Sequence, residues 1–277
     1  MTTPKLTLAS LRALLRDAAD DFELERLIVR LEADDRAGAQ ALLAQARRRL
    51  DARRVERERL ARLIALRDEL ALRGVRGIAG VDEVGVGPLA GPVVAAAVVL
   101  PKRVMLEGLA DSKRVRRVAR ERLAKEIREL ALGVGIGVVR VEEIDQVGIY
   151  QAALEAMRRA VKSLERVTEV GHLLVDARTV PGVPLPQTSI IKGDQKDASI
   201  AAASIVAKVY RDALMTTLGN RYPRYGFERH MGYGTAAHMA ALELIGPCPA
   251  HRRSFVPVQK AERALARRAS GSAAAPA

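Results

Sequence analysis

Four acidic residues stand where an acid is costly. Asp82 and Glu83 interrupt the apolar run GIAGVDEVG just before Gly85, Asp176 ends the run HLLVD, and Asp194 ends TSIIKGD. Burying a carboxylate among apolar residues is expensive unless it is paired or binds a metal. A single such acid is usually a satisfied structural residue. Three such positions, one of them doubled, point instead to a shared site. Ligands of open α/β sheets gather at the carboxyl ends of the strands, so acids ending neighbouring strands converge there. Successive strand residues face opposite sides, and Asp82 and Glu83 can share a site only if the strand ends or bends between them. The glycines that follow allow this. Hard oxygen donors, with Cys248 the single cysteine and only four histidines in the chain, suit Mg²⁺ or Mn²⁺.

The glycine loop beside the first two acids has a chemistry of its own. Gly85-Val86-Gly87-Pro88-Leu89-Ala90-Gly91 is spaced G-x-G-x-x-x-G and is followed by the apolar run VVAAAVVL. A dinucleotide fingerprint needs different spacing and a helix after it, and a phosphate-binding G-x-x-x-x-G-K-[ST] is absent. Two readings stay open: an ordinary hairpin turn, or a backbone that comes close against a sugar–phosphate.

The elements that must position these residues are legible as patterns. GIAGVDEVG and VVAAAVVL read as two buried strands joined by the glycine loop, GVGIGVVRV as a third, HLLVDA (172–177) as a fourth and TSIIKGD (188–194) as a fifth. Between and after them lie amphipathic stretches that predict helices over 115–132, 149–164, 198–218 and 235–245. Strands first, then strands alternating with helices, predict a mixed sheet with helices on its faces. The first seventy-odd residues are different: rich in Leu, Ala, Arg and Glu, they predict two short helices and a long one from about 36 to 73. Thr7 is the expected N-cap of the first helix, and Gly74 the C-cap of the last. The expected organisation is a helical extension over 1–74, a catalytic domain over 75–258 and a disordered tail over 259–277.

Composition narrows the partners. The 277 residues carry 46 Lys and Arg against 33 Asp and Glu, a net charge of +13, which points to a polyanion. No apolar run approaches the ~18 residues of a membrane span, and MTTPKLTLAS lacks the layout of a secretory signal. A lone cysteine excludes a disulfide scaffold and a cysteine-based zinc cage. The expectation is a cytoplasmic protein that meets nucleic acid. The Arg-rich stretch RRRLDARRVERER is either a solvated helix face or a substrate-binding arm.

GVDEVGVGPLAGPVVAAAVVL closely resembles the opening motif of bacterial ribonuclease HII, G-x-D-E-x-G-R-G-P-L-x-G-P. The resemblance continues in order through LADSKRV, LLVDA, IIKGD, SIAAASIVAKVYRD, YPRYGFERHMGYGT and HRRSF, over about 76–258, and the helical N-terminal part resembles an extension of some members. It implies a ribonuclease H-like fold with a mixed five-stranded sheet. It implies cleavage of the RNA strand of RNA–DNA hybrids and incision at ribonucleotides embedded in duplex DNA, by a monomer. The mechanism implied is two-metal hydrolysis with Mn²⁺ or Mg²⁺, leaving 5′-phosphate and 3′-hydroxyl ends.

Carried over by motif, Asp82, Glu83, Asp176 and Asp194 match the catalytic, metal-binding carboxylates. Tyr233 matches the tyrosine that stacks on the sugar at the junction, and the backbone of Gly85, Val86 and Gly87 matches the loop that detects the 2′-hydroxyl. Lys113, Lys192, Lys208 and Arg211 are candidates for phosphate contact or for balancing the acids, while His230, His238 and His251 read as polar packing residues. Three positions depart from the family: Val86 replaces an arginine, Gly148 a common asparagine, and Met231 the lysine before Gly-Tyr. None is a metal ligand, so the departures bear on substrate affinity. They also motivate a second reading, a binding protein that kept the fold and lost turnover. A third, a ribonuclease HIII or a junction resolvase, fits the DEVGVG spacing and HMGYGT less well.

Overall fold

The computed structural model describes residues 6–272 other than 103, 105, 111, 113 and 114, and it divides into two compact units, 1–62 and 63–277. The first unit is helical. α1 (Leu8–Asp17) starts at Thr7, whose hydroxyl accepts from the Ser10 amide, and α2 (Asp21–Glu32) starts at Asp20, which caps the Glu23 amide. Leu11, Leu15, Leu24, Leu27 and Leu31 pack with Leu42, Leu43 and Ala46 of α3 (Ala37–Leu72). Gly38 is the small residue that lets α3 pass Leu8, because a Cβ there would lie 2.7 Å from Leu8 Cδ1. The Arg-rich stretch is largely committed within the unit. Arg49, Arg53 and Arg57, one helical turn apart, reach the Leu15, Ala18 and Ala19 carbonyls and Asp21. At its far end α3 stops at Gly74 (φ +85°), with Val75 N donating to Leu70 O, a Schellman-type cap.

The compact units divide at 62/63 and not at 74/75, where composition changes. The cause is local: Leu66, Leu70 and Ala71 pack with Ile78, Leu174 and Ile200, and the buried Arg67 donates to the Pro101 carbonyl at 2.7 Å.

The second unit is built on one sheet in the order β3-β2-β1-β4-β5. β1 (Ile78–Val84), β2 (Val93–Val99) and, after α4 (Arg117–Leu130), β3 (Gly133–Val139) form an antiparallel meander. α5 (Val141–Val147) and α6 (Ile149–Leu164) then carry the chain to β4 (His172–Asp176), parallel to β1, and β5 (Gln187–Ile190), parallel to β4. α6 covers one face: Ala79, Val81, Ala95 and Ala97 pack against Ala153, Met157 and Leu164. Glycines at 135 and 137 let it lie against β3, since Cβ atoms there would fall about 2 Å from the Ala160 and Ala156 carbonyl oxygens. α7 (Ala198–Arg221) packs on β1 and β2 from the opposite face, where a Cβ on Gly80 would meet the Ser199 backbone.

The chain closes with α8 (Phe227–His230), α9 (Ala236–Ile245) and α10 (Val256–Ser272). The expected tail over 259–277 is therefore helical as far as Ser272, because Val258 and Ala261 bury against Leu89 and Leu242. The expected fifth strand is also shorter, ending at Ile190. Among the described residues no helix is long and apolar enough to cross a membrane.

Candidate active site

β1, β4 and β5 are neighbours, so their ends bring the acids together. Val81 lies beside Val175, and Asp176 beside Ile190, which places Asp82 and Asp176 at the same end of the sheet. Asp194 arrives differently from the strand-end position expected. Lys192 takes a left-handed conformation (φ 57°), and Asp194 sits in a 3₁₀ turn, Gly193–Gln195, after the strand has ended. The Gly193 amide donates to Asp176 Oδ1 at 2.7 Å and fastens that turn to β4. Asp82 is only 6% exposed, and its Oδ1 accepts from the Glu83 amide at 2.8 Å.

Burial raises the Asp82 carboxyl well above the usual carboxylate range, and the charges of Glu83, Asp176 and Asp194 push it further up. The Ser204 hydroxyl of α7 opposes this only in part. The other three expected carboxylates thus all act on Asp82. Among the described residues, no three His, Cys, Asp or Glu side chains form a finished cage for an ion. The donor set still fits a hard divalent cation: four carboxylates and no sulfur or imidazole, with one acid buried under a penalty that a cation would relieve. Among the described residues a positive group approaches the acids. Arg178, which follows the left-handed Ala177, lies 3.8 Å from Glu83 Oε1 and stacks over the Tyr150 ring at 5.0 Å.

The glycine loop adjoins the acids, because Gly85 directly follows β1. It is held from behind. Arg252, fully buried, donates to the carbonyls of Gly85 (2.5 Å), Val86 (3.0 Å) and Gly91 (2.8 and 3.0 Å). Arg211, also fully buried, donates to those of Pro92 (2.9 Å), Ala90 (3.1 Å) and Met231 (3.0 Å). Burial pulls the two guanidinium groups down, Arg252 to about 9 and Arg211 to about 10, and both still carry their charge at neutral pH. Gly85 (φ +91°) is required twice over, by its backbone and by Arg211, whose Nε lies 2.2 Å from where a Cβ would be. Val86 turns its side chain toward the core below the sheet.

Tyr233 is 41% exposed, and its ring edge lies 3.8 Å from where a Cβ of Gly87 would stand. The segment that carries it is tied to the loop by Leu89 N donating to Gly232 O at 2.9 Å. His238, His251 and Cys248 form a buried chain beneath it, with 2.9 Å from His238 Nδ1 to the Tyr233 carbonyl and 3.0 Å between the two Nε2 atoms. These histidines pack, as expected. Burial pushes His251 down to about 4, with the neighbouring His238 adding to it.

The basic candidates separate. Lys192 is exposed next to Asp194, while Lys208 is half-buried and bound to Asp212 at 2.7 Å, an acid it shares with Arg120. Arg211 faces the loop and not solvent, and Lys113 lies outside the described residues. Gly148 joins α5 to α6 at φ 78°, ψ 156°, a conformation that suits glycine. Sequence reasoning missed Arg178, Arg252 and Asp145, whose carboxylate accepts from the Arg253 and Ser254 amides at 2.9 Å. For Arg252 the HRRSF motif marks the place and not the partner.

Comparison with known proteins identifies the family. The family model for ribonuclease HII matches residues 79–258, and that for the ribonuclease HII N-terminal domain matches residues 7–67. A ribonuclease HII of Geobacillus kaustophilus is 49% identical over 261 residues, 94% of this chain and 98% of that protein. The structure of ribonuclease H2 from Pyrococcus horikoshii is 26% identical, with TM-score 0.59 over 67% of this chain and 97% of its own. Bst-RNase HIII in complex with Mn²⁺, 21% identical with TM-score 0.53 over 69% and 70% of the two chains, shares the fold. The chain belongs to the ribonuclease HII family and is an endoribonuclease of the ribonuclease H type.

Proposed function

We propose that this enzyme hydrolyses the RNA strand of RNA–DNA hybrids and incises duplex DNA beside an embedded ribonucleotide. Its phosphodiester hydrolysis would depend on divalent metal and leave 5′-phosphate and 3′-hydroxyl ends. The observation that carries the reading is Asp82, buried and crowded by Glu83, Asp176 and Asp194, one residue pair away from the glycine loop.

Those four side chains would hold the metal, with Mn²⁺ or Mg²⁺ suited to the donors. Bound there, two divalent ions would supply an activated water and stabilise the leaving 3′-oxygen. The protein's own work is electrostatic and positional. Burial and the neighbouring acids make the Asp82 carboxyl hold its proton more strongly than an ordinary carboxyl, so a cation would compete with that proton and its uptake would be favoured by rising pH. The Gly193 amide fixes one oxygen of Asp176 and thereby the turn that carries Asp194. The exposed Tyr233 ring is placed to stack on a sugar beside Gly87. With the carbonyls of Gly85 and Val86 taken by Arg252, the loop offers amide donors to a 2′-hydroxyl, the group that separates ribose from deoxyribose.

The test is a duplex carrying one ribonucleotide, incubated with Mg²⁺, with Mn²⁺ and with chelator. Metal-dependent nicking at the ribonucleotide is expected. Binding without incision in either metal would make the chain a binding protein and overturn the proposal.

A further inference from the structure

Two cations are buried under the glycine loop, and neither forms an ion pair among the described residues. Arg211 and Arg252 are both fully buried. Desolvating a guanidinium costs several kcal/mol, and here carbonyl dipoles repay it, seven hydrogen bonds in all. The bonds are not spread at random. Arg252 grips both ends of the loop, at Gly85–Val86 and at Gly91. Arg211 grips the end of the loop at Ala90 and Pro92 and, with its remaining nitrogen, the Met231 carbonyl two residues before Tyr233. Three nitrogens in one plane can bridge two chain segments in this way, and a lysine cannot.

We propose that Arg211 and Arg252 are positioning residues for substrate recognition, which lock the glycine loop and the Tyr233 segment into one reading surface and place under it positive charge that a substrate phosphate completes. The inference rests on the function proposed above. Val86 makes it specific to this chain. The family's loop arginine is missing, and the Val86 side chain turns inward, so the cationic character of the loop comes from below. Charge fixed under a surface of oriented amides attracts an anion without a side chain reaching it. Gly85 belongs to the same device, since the Arg211 Nε occupies the space of its Cβ.

The experiment uses the full chain and the variants Arg211→Lys, Arg252→Lys and Arg252→Met. Affinity is measured in chelator for two duplexes that differ by a single 2′-hydroxyl, together with melting temperature and with kcat and KM in Mn²⁺. The lysine variants keep the charge and lose the fork. Their preference for the ribonucleotide duplex is expected to fall about tenfold, the worth of one well-placed hydrogen bond, with the salt dependence of binding unchanged. Arg252→Met loses the charge as well, and its binding to both duplexes should weaken with a shallower salt slope. An unchanged preference in folded lysine variants would overturn the proposal, even if they melt earlier, because a merely structural role moves stability alone. Should a lysine variant fail to fold, Gly85→Ala disturbs Arg211 from the loop side and must show the same loss of preference, or the proposal fails. If the wild-type enzyme itself shows no preference between the duplexes, the proposed function is what falls.

Discussion

The acid cluster and the glycine loop adjoin at Gly85, and they are electrostatic opposites. In the first, three carboxylates act on a fourth, Asp82, with Arg178 at their edge among the described residues. In the second, two guanidinium groups are buried on backbone carbonyls with no ion pair among the described residues. Among the described residues the first region gathers negative charge and the second buries positive charge, so a metal-bound nucleic-acid strand would complement both.

The largest effect is expected on the acidic side. Asp194→Asn removes one negative donor, and cleavage of a single-ribonucleotide duplex should fall at least about a thousandfold, a barrier of roughly 4 kcal/mol. Duplex affinity should persist because phosphate contacts dominate it. Near-normal Mg²⁺-supported turnover would remove Asp194 from the site.

The two regions should also answer pH in opposite directions. His251 is depressed to about 4 from an ordinary 6.5, so its contribution is complete above pH 6.5 and is lost as pH falls through 4. The loss is of order 3 kcal/mol, since one pKa unit is worth about 1.4 kcal/mol. Asp82 is raised, so in metal-free protein its stabilising effect is present below the ordinary carboxylate range and is lost as pH rises through its raised value. Thermal melts in chelator between pH 4 and 8 would show both, with His251→Gln flattening the acid limb and Asp82→Asn the alkaline one. An Asp82→Asn variant that tracks the wild-type alkaline limb would mean that the acids do not crowd.

A smaller effect concerns the unit boundary. A chain beginning at Leu63 keeps Leu66, Arg67 and Leu70, whereas one beginning at Val75 strips them from Ile78, Leu174 and Pro101. The shorter chain should be less stable by about 2 kcal/mol, the worth of part of two leucine side chains. Equal denaturation midpoints would show that those contacts contribute nothing. The smallest effect is at Val86. Val86→Arg adds one cation to the loop and should steepen the log–log salt dependence of binding by roughly one unit, with the incision position unmoved. A shifted incision would mean that the side chain, and not the backbone, sets the site.

Much of this site is legible in the sequence because acids in apolar runs are conspicuous. Asp176 ends β4 as its run implies and Gly74 caps α3 as its position implies, whereas Asp82 lies within β1, which runs on without a break to Val84. Asp194 lies in a turn and not at the strand end that its run implies: a left-handed Lys192 carries no composition signal, so TSIIKGD reads as a continuous strand. α10 was lost for a related reason, since its buried residues are few and its Ala, Ser and Gly resemble a tail. The buried arginines were the least legible. An arginine in YRD or HRRSF looks like any surface cation until the fold brings carbonyls from 119, 121 and 167 residues away onto it.

The central claim is that the four carboxylates and the held loop are one metal-dependent centre for ribonucleotide recognition and hydrolysis. Incision mapping on a duplex with a single ribonucleotide, beside an all-DNA duplex of the same sequence, tests it most directly. The account predicts one nick beside the ribonucleotide in Mn²⁺ or Mg²⁺, with 5′-phosphate and 3′-hydroxyl ends, and none in chelator, in Asp194→Asn or on all-DNA. Cleavage that survives chelation, or that falls equally on the all-DNA duplex, would contradict it.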